Sequence, residues 1–271
     1  MKQSYFFNKK ESYLSAVQVP ARFRFYFTVA VPAMIILVTL GVLRIAGELP
    51  MLDYREADIH TAVVATLATL ARLMIAYVLA IVVAIPLALL AEKSNAKRFL
   101  LPVYDIAQSI PILIFFPFIA LAFVKLGFSE GAAIFILFIA MLWKLVFSII
   151  FGLNSLPNEI KQTAQMYNIT GVNYLTKILL PAIIPQLTIG SIFAFADGWN
   201  FVIVAEVLHA YIPNGVVAND LFGVGSTMVG AASAGNETLF VYSLIAVVSM
   251  VIVLNLSVWQ RLLAYAERFK F

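Results

Sequence analysis

The chain has 271 residues, of which 63% are apolar and 12% charged, and a formal net charge of +4. An ordinary soluble domain is ~45–50% apolar and ~25% charged, and its surface must still be wetted. This composition excludes a soluble enzyme, a nucleic-acid-binding protein and a disordered chain, and leaves an integral membrane protein. With no cysteine and only His60 and His209, disulfides, thiolate metal sites and Cys nucleophiles are excluded, and no metal site is expected.

A membrane-spanning helix needs ~20 apolar residues. In chain order, six runs qualify: 25–43, 64–91, 99–124, 132–152, 186–208 and 239–258. Runs this long do not fit a β-barrel, whose strands alternate over ~10 residues. The first run follows a long charged leader with no clear small-x-small cleavage site, so it reads as an uncleaved helix. With the N-terminus placed inside, thirteen of the eighteen basic residues fall on the inner segments 1–24, 92–98, 153–185 and 259–271. Only Arg44, Arg55 and Lys125 fall outside, and Arg72 and Lys144 lie within spans. Basic residues gather on the cytoplasmic side, so both termini are expected there. The predicted fold is an all-α membrane protein of six transmembrane helices.

Two connections stand apart. The inner loop 153–185 is far longer than the ~2–8 residues that usually join helices. It opens on Asn154-Ser155-Leu156-Pro157-Asn158-Glu159, a turn and a helix start, and closes with Pro181 and Pro185. The outer stretch 209–238 is rich in small residues, including Gly215, Gly223, Gly225, Gly230 and Gly235. It reads either as a plain loop or as a segment that re-enters the membrane against protein, where close approach needs small side chains. Within it, the glycines of Gly225-Ser226-Thr227-Met228-Val229-Gly230 have phosphate-loop spacing, but Ala231-Ala232 stand where Lys and Ser/Thr are required. His-Glu-x-x-His and Gly-x-Ser-x-Gly are also missing from the sequence. No catalytic residue is expected in this chain. Active transport would draw its energy from a partner or an ion gradient.

The inner loop carries the most specific pattern: Gln162-Thr163-Ala164-Gln165-Met166-Tyr167-Asn168, then nine residues, then Ile178-Leu179-Leu180-Pro181. It resembles the loop of ABC-importer permeases, whose pattern is Glu-Ala-Ala, three residues, Gly, and a hydrophobic-Leu-Pro ending. Gln162 stands at the Glu position, Thr163 and Ala164 at the alanines, and Asn168 at the Gly; Ile169 and Gly171 continue the bend, and Leu180-Pro181 end the motif. Gln keeps length and hydrogen bonding but loses the charge. Asn suits a left-handed bend between two helices, which it tolerates best after Gly. Ser109-Ile110-Pro111-Ile112 with Phe116-Pro117, Gly152-Leu153, Trp199 leading to Ala205-Glu206-Val207, and Gly223-Val224-Gly225 resemble the nitrate/sulfonate/taurine branch of that family.

The resemblance covers about residues 60–260 and implies a MetI-like permease core at 60–260. Residues 1–59 add a leader, one extra N-terminal helix and an outer loop, and 261–271 a cytoplasmic tail. It implies that loop 153–185 forms two short helices docked on an ATPase subunit, through Gln162, Thr163, Ala164, Asn168, Ile169, Gly171, Leu180 and Pro181. It further implies a second permease subunit, identical or related, two ATPase subunits that bind ATP and Mg, and an extracytoplasmic solute-binding protein, in a bacterial or archaeal cytoplasmic membrane. The chain itself would hold no cofactor and meet no nucleic acid.

Ionisable groups are costly within a bilayer and are functional candidates there. Arg72, Asp105, Lys144, Asp197 and Glu206 lie within the expected spans. Arg72 has room to snorkel outward, and Asp105 lies near the inner water. On the fifth span, Asp197 and Asn200 share a face, Trp199 and Glu206 share another, and Asp197 and Glu206, nine residues apart, lie on opposite faces. Such a helix is expected to pack inside the protein. Arg72, Ser109, Lys144, Asp197, Trp199, Asn200 and Glu206 are the candidate pathway residues. A Lys144–Asp197 ion pair holding two spans in register is the competing reading. These charges do not name the solute; the resemblance implies nitrate, a sulfonate or a similar small anion, in a branch that also carries uncharged heterocycles. The alternative from another class is an ion-gradient-driven transporter or channel using Asp197 or Glu206.

Overall fold

The computed structural model describes residues 56–92, 94–212 and 219–269. The expected leader and first span at 25–43, and most of the loop 47–60, lie outside the described residues. Within them, all regular structure is helical. α1 (Glu56–Glu92) is followed by α2 (Ser94–Ser109), a 3₁₀ turn (Ile112–Ile114) and α3 (Phe116–Lys125). Next come α4 (Ser129–Asn154), α5 (Asn158–Met166), α6 (Gly171–Tyr174), a π-helical turn (Leu175–Leu179) and α7 (Leu180–Glu206). The last part holds α8 (Val224–Ser233), α9 (Glu237–Leu254), a second π-helical turn (Asn255–Trp259) and α10 (Gln260–Ala266). Four stretches are long and apolar enough to cross a membrane: Asp58–Glu92, Ser129–Asn154, Leu175–Glu206 and Glu237–Phe269.

The expected third span, 99–124, is not one continuous helix. α2 ends at Ser109, and the chain turns through an extended Pro111 (φ −65°, ψ 112°) before α3 begins. Proline lacks the N–H that a continuing helix requires and pushes Ile110 out of the helical region. Pro117, in the first turn of α3, sits where no donor is lost. α7 begins at Leu180, six residues before the expected 186, running on from the π-helical turn Leu175–Leu179 with Pro181 in its first turn.

α4 packs between α1 and α7. α1 turns a buried stripe toward the bundle: Ala62, Ala65, Thr69, Leu73, Ala76, Ala80, Ala84, Ala88 and Ala91. Their spacing of three and four keeps them on one helix face, and small side chains let backbones approach closely. Val63, Leu67, Val78 and Val82 are exposed, as lipid-facing residues would be. On α7, Gly190 and Gly198 take the same role against α4. A Cβ at Gly190 would collide with Ser148, and one at Gly198 with Met141 and Leu73. Tyr77 on α1 and Trp259 both meet Phe195 of α7 edge-on, at 4.9 and 5.1 Å.

Gly190→Leu is therefore expected to lower the detergent melting temperature, at an overpacking cost of about 1–3 kcal/mol. The same change at Gly230, where an added Cβ meets nothing within 4 Å, is expected to leave it unchanged.

Candidate functional site

Three places bring functional side chains together. The first is a buried polar knot where α1, α4, α7 and α8 meet. Glu206 is the last residue of α7 and is fully buried. Its carboxylate accepts hydrogen bonds from Thr69 Oγ1 (2.6 Å), Arg72 Nη1 (2.9 Å) and the Gly225 N–H (2.7 Å). Thr69 Oγ1 in turn accepts from the Val224 N–H at 2.9 Å. Glu206 and Thr69 thus satisfy the first amides of α8, donors that have no partner within a helix, and the carboxylate meets the positive end of the α8 dipole. Arg72 donates through Nε and Nη2 to both carboxylate oxygens of Glu130, at 2.6 and 2.7 Å, and through Nη2 to the Phe222 carbonyl at 2.9 Å. The fork-on-fork pairing with Glu130 is the strong geometry for this ion pair.

The glycines before and within α8 make this arrangement possible. A Cβ on Gly223 would collide with the Glu206 carboxylate, and one on Gly225 would come within 2.9 Å of the Ile203 Cα. The phosphate-loop-like glycine spacing therefore serves close backbone approach to a resident carboxylate. Within the small-residue stretch 209–238, Val224–Ser233 form a ten-residue helix packed on α1, α7 and α9, and Gly215 lies outside the described residues.

The second place is a cavity of about 380 Å³ between the middle of α4 and the C-terminal third of α7. Lys144 and Asp197 line it, with Nζ 3.6 Å from Oδ2 and side chains 52% and 33% exposed. Gln108, Ile110, Pro111 and Ile112 bring the α2–α3 break to its wall, and Trp143 and Phe201 supply aromatic surface. The break gives the cavity a polar backbone edge that a continuous helix would lack.

The third place is the connection at the far end of the bundle. α5 ends in a reciprocal backbone pair, Ile169 N–H to Ala164 O (2.9 Å) and Asn168 N–H to Gln165 O (3.0 Å). This is a Schellman cap, and its left-handed residue is Asn168, at φ 50°. The same cap recurs after α3 and α8, with Gly127 (φ 70°) and Gly235 (φ 66°) in the equivalent position. Asn168 is the only non-glycine with positive φ among the described residues. Gly171 follows at φ 59°, so two left-handed residues turn the chain between α5 and α6. Ala164 is buried under the turn, while Met166 and Tyr167 are 82% and 75% exposed. Gln162, Thr163 and Gly171 are also on the surface. Leu180 and Pro181 open α7 and pack partly against the core.

The candidate pathway residues thus divide. Lys144 and Asp197 lie 3.6 Å apart and both line the cavity. Ser109 lies at the rim between Gln108 and Ile110, donating to the Asp105 carbonyl at 2.8 Å. Asn200 is exposed on α7, and Trp199 packs partly buried against the core. Arg72 does not snorkel; it and Glu206 are enclosed in the knot. Glu130, Thr69 and Gln108 are site residues missed in the sequence. Glu130 had a signal, an acidic residue in the first turn of a helix. Thr69, three residues before Arg72, lies one turn away on the same side of α1.

A family model for the binding-protein-dependent transport system inner membrane component matches residues 76–264. Among curated proteins, the chain is 28% identical over 160 residues to a nitrate import permease protein of Leptolyngbya laminosa, covering 59% of this chain and 56% of that one. It is 26% identical over 148 residues to a bicarbonate transport system permease protein of Synechococcus elongatus, covering 54% and 52%. With the taurine transport system permease protein of Escherichia coli the identity is 23% over 195 residues, covering 72% and 67%. The chain spans about half the length of the first of these relatives. Among solved structures, it resembles a chain of the inward-facing MetNI methionine ABC transporter with a TM-score of 0.66 at 18% identity, over 79% of this chain and 99% of that one. A family match across well over half of the chain, on a helical fold shared with that transporter, makes this protein a member of the binding-protein-dependent transport system inner membrane component family.

Proposed function

We propose that this chain is the membrane-spanning subunit of an ATP-driven importer, forming the path for a small solute. The observation that carries this reading is the α5–α6 turn. A Schellman-capped helix presents Met166 and Tyr167 to solvent on residues that follow the permease loop pattern. Large exposed apolar side chains on a rigid turn are suited to insertion in a partner's groove. In this reading Gln162, Thr163, Ala164, Asn168, Ile169, Gly171, Leu180 and Pro181 form the lever, and an ATPase subunit holds it. ATP and Mg are bound by two such subunits, so this chain performs no hydrolysis. A second permease subunit completes the path, and an external binding protein delivers solute at the α8 end. The α5 end faces the cytoplasm of a bacterial or archaeal cell, six spans cross its membrane, and residues 60–260 form the core domain. Arg72 and Glu206 do not line the path: they hold α8 against α7 and α1.

Mild-detergent capture of the chain from its native membranes, followed by mass spectrometry, tests the proposal. The expected result is a stoichiometric P-loop ATPase that is lost when residues 162–171 are altered. A chain that arrives without an ATPase, yet transports in liposomes under an ion gradient, would move the function to a secondary transporter centred on Asp197.

A further inference from the structure

We propose, resting on the transport function above, that the cavity between α4 and α7 is a charge-neutral subsite that accepts a small zwitterion in preference to a simple inorganic anion. Five ionisable groups could have set the field along the path. Two of them, Arg72 and Glu206, are committed to the knot, where Arg72 spends its guanidinium on Glu130, Glu206 and the Phe222 carbonyl. Asp105 is not among the cavity's lining residues. That leaves one positive and one negative group in the cavity, Lys144 and Asp197, 3.6 Å apart.

The pair is loose. At 3.6 Å with both side chains partly exposed, neither ion is saturated. An ammonium has three donors and a carboxylate about four acceptor sites, so each retains capacity for a solute group. An inorganic anion drawn to Lys144 would also meet Asp197, and attraction and repulsion of unit charges at similar distance nearly cancel. The α2–α3 break tilts the balance further. Ala107 and Gln108, in the last turn of α2, line the cavity, and the C-terminal end of a helix carries partial negative charge that favours cations. A solute with an acidic group for Lys144 and an ammonium for Asp197 and the α2 end satisfies both sides. Trp143 and Phe201 give its carbon skeleton an apolar wall, and the ammonium a ring face.

The test is equilibrium dialysis of the purified complex in nanodiscs against labelled taurine and labelled nitrate, used as probes of the two charge classes. Saturable taurine binding at least tenfold tighter than nitrate is expected. Asp197→Asn should weaken taurine at least tenfold and strengthen nitrate, because the site becomes net positive. Lys144→Gln should weaken both. Nitrate bound as tightly as taurine, binding of neither probe, or taurine binding indifferent to Asp197→Asn would each overturn the subsite. The ATPase band in the same preparations is scored separately. Its absence removes the proposed function, while the dialysis still decides the cavity's charge preference.

Discussion

Glu206→Ala is expected to be the most damaging single change in the described part of the chain, lowering stability by about 3–5 kcal/mol, as removal of one partner from a buried ion pair does. The carboxylate accepts from the Thr69 hydroxyl, one arm of Arg72 and the Gly225 amide, so its loss strips the Arg72 arm and the buried amide of their acceptor and leaves Thr69 only the Ala65 carbonyl. Denaturant or thermal unfolding in detergent, followed by tryptophan fluorescence, measures it. Glu237→Gln, at an exposed position in the first turn of α9, is the control and should change little. A second variant identifies the mechanism. Gly223→Ala pushes a methyl into the Glu206 carboxylate and should also destabilise the protein, but far less in the Glu206→Ala background, where the obstacle is gone. Coupled sites reveal themselves by this failure of additivity. Strictly additive losses would show that the glycine and the carboxylate act independently.

Asn168→Val is expected to abolish most solute-stimulated ATPase activity of the assembled complex while leaving the spans folded. Asn168 holds φ 50°, where an L-residue with a branched Cβ is crowded against its own backbone. The left-handed conformation costs roughly 1–2 kcal/mol for an ordinary residue. That cost falls on the cap of a nine-residue helix rather than on the bundle, so α5 frays or reorients and Met166 and Tyr167 lose their fixed placement. Asn168→Gly supplies the residue that the equivalent caps after α3 and α8 already use, and should match the native chain or exceed it. Native-level stimulation in Asn168→Val would refute a rigid lever at this turn.

The left-handed bend at Asn168 was legible in the sequence because one residue type at one spacing carries it. The long apolar runs were legible for the same reason: hydropathy sums over many residues, and α1, α4, α7 and α9 lie on four of the expected spans. The break at Pro111 was less so. Pro86, Pro102 and Pro185 sit inside continuous helices, so a proline alone does not say whether a helix bends or stops. The knot was the least legible feature. Arg72 and Glu206 are separated by 134 positions, and nothing local to either reveals that Gly223 clears space for one and the Phe222 carbonyl receives the other. Composition placed both in a costly environment, and only the tertiary packing showed them meeting each other.

The knot has a consequence for how this end of the bundle meets its surroundings. A helix N-terminus of this kind ordinarily recruits an anion from the medium. Here the counter-ion is built into the chain and sealed from water, and buried pairs are screened far less than exposed ones. Glu130, with a half-exposed side chain, is the one charged member within reach of dissolved salt. The seating of α8 is therefore indifferent to which anions the environment offers.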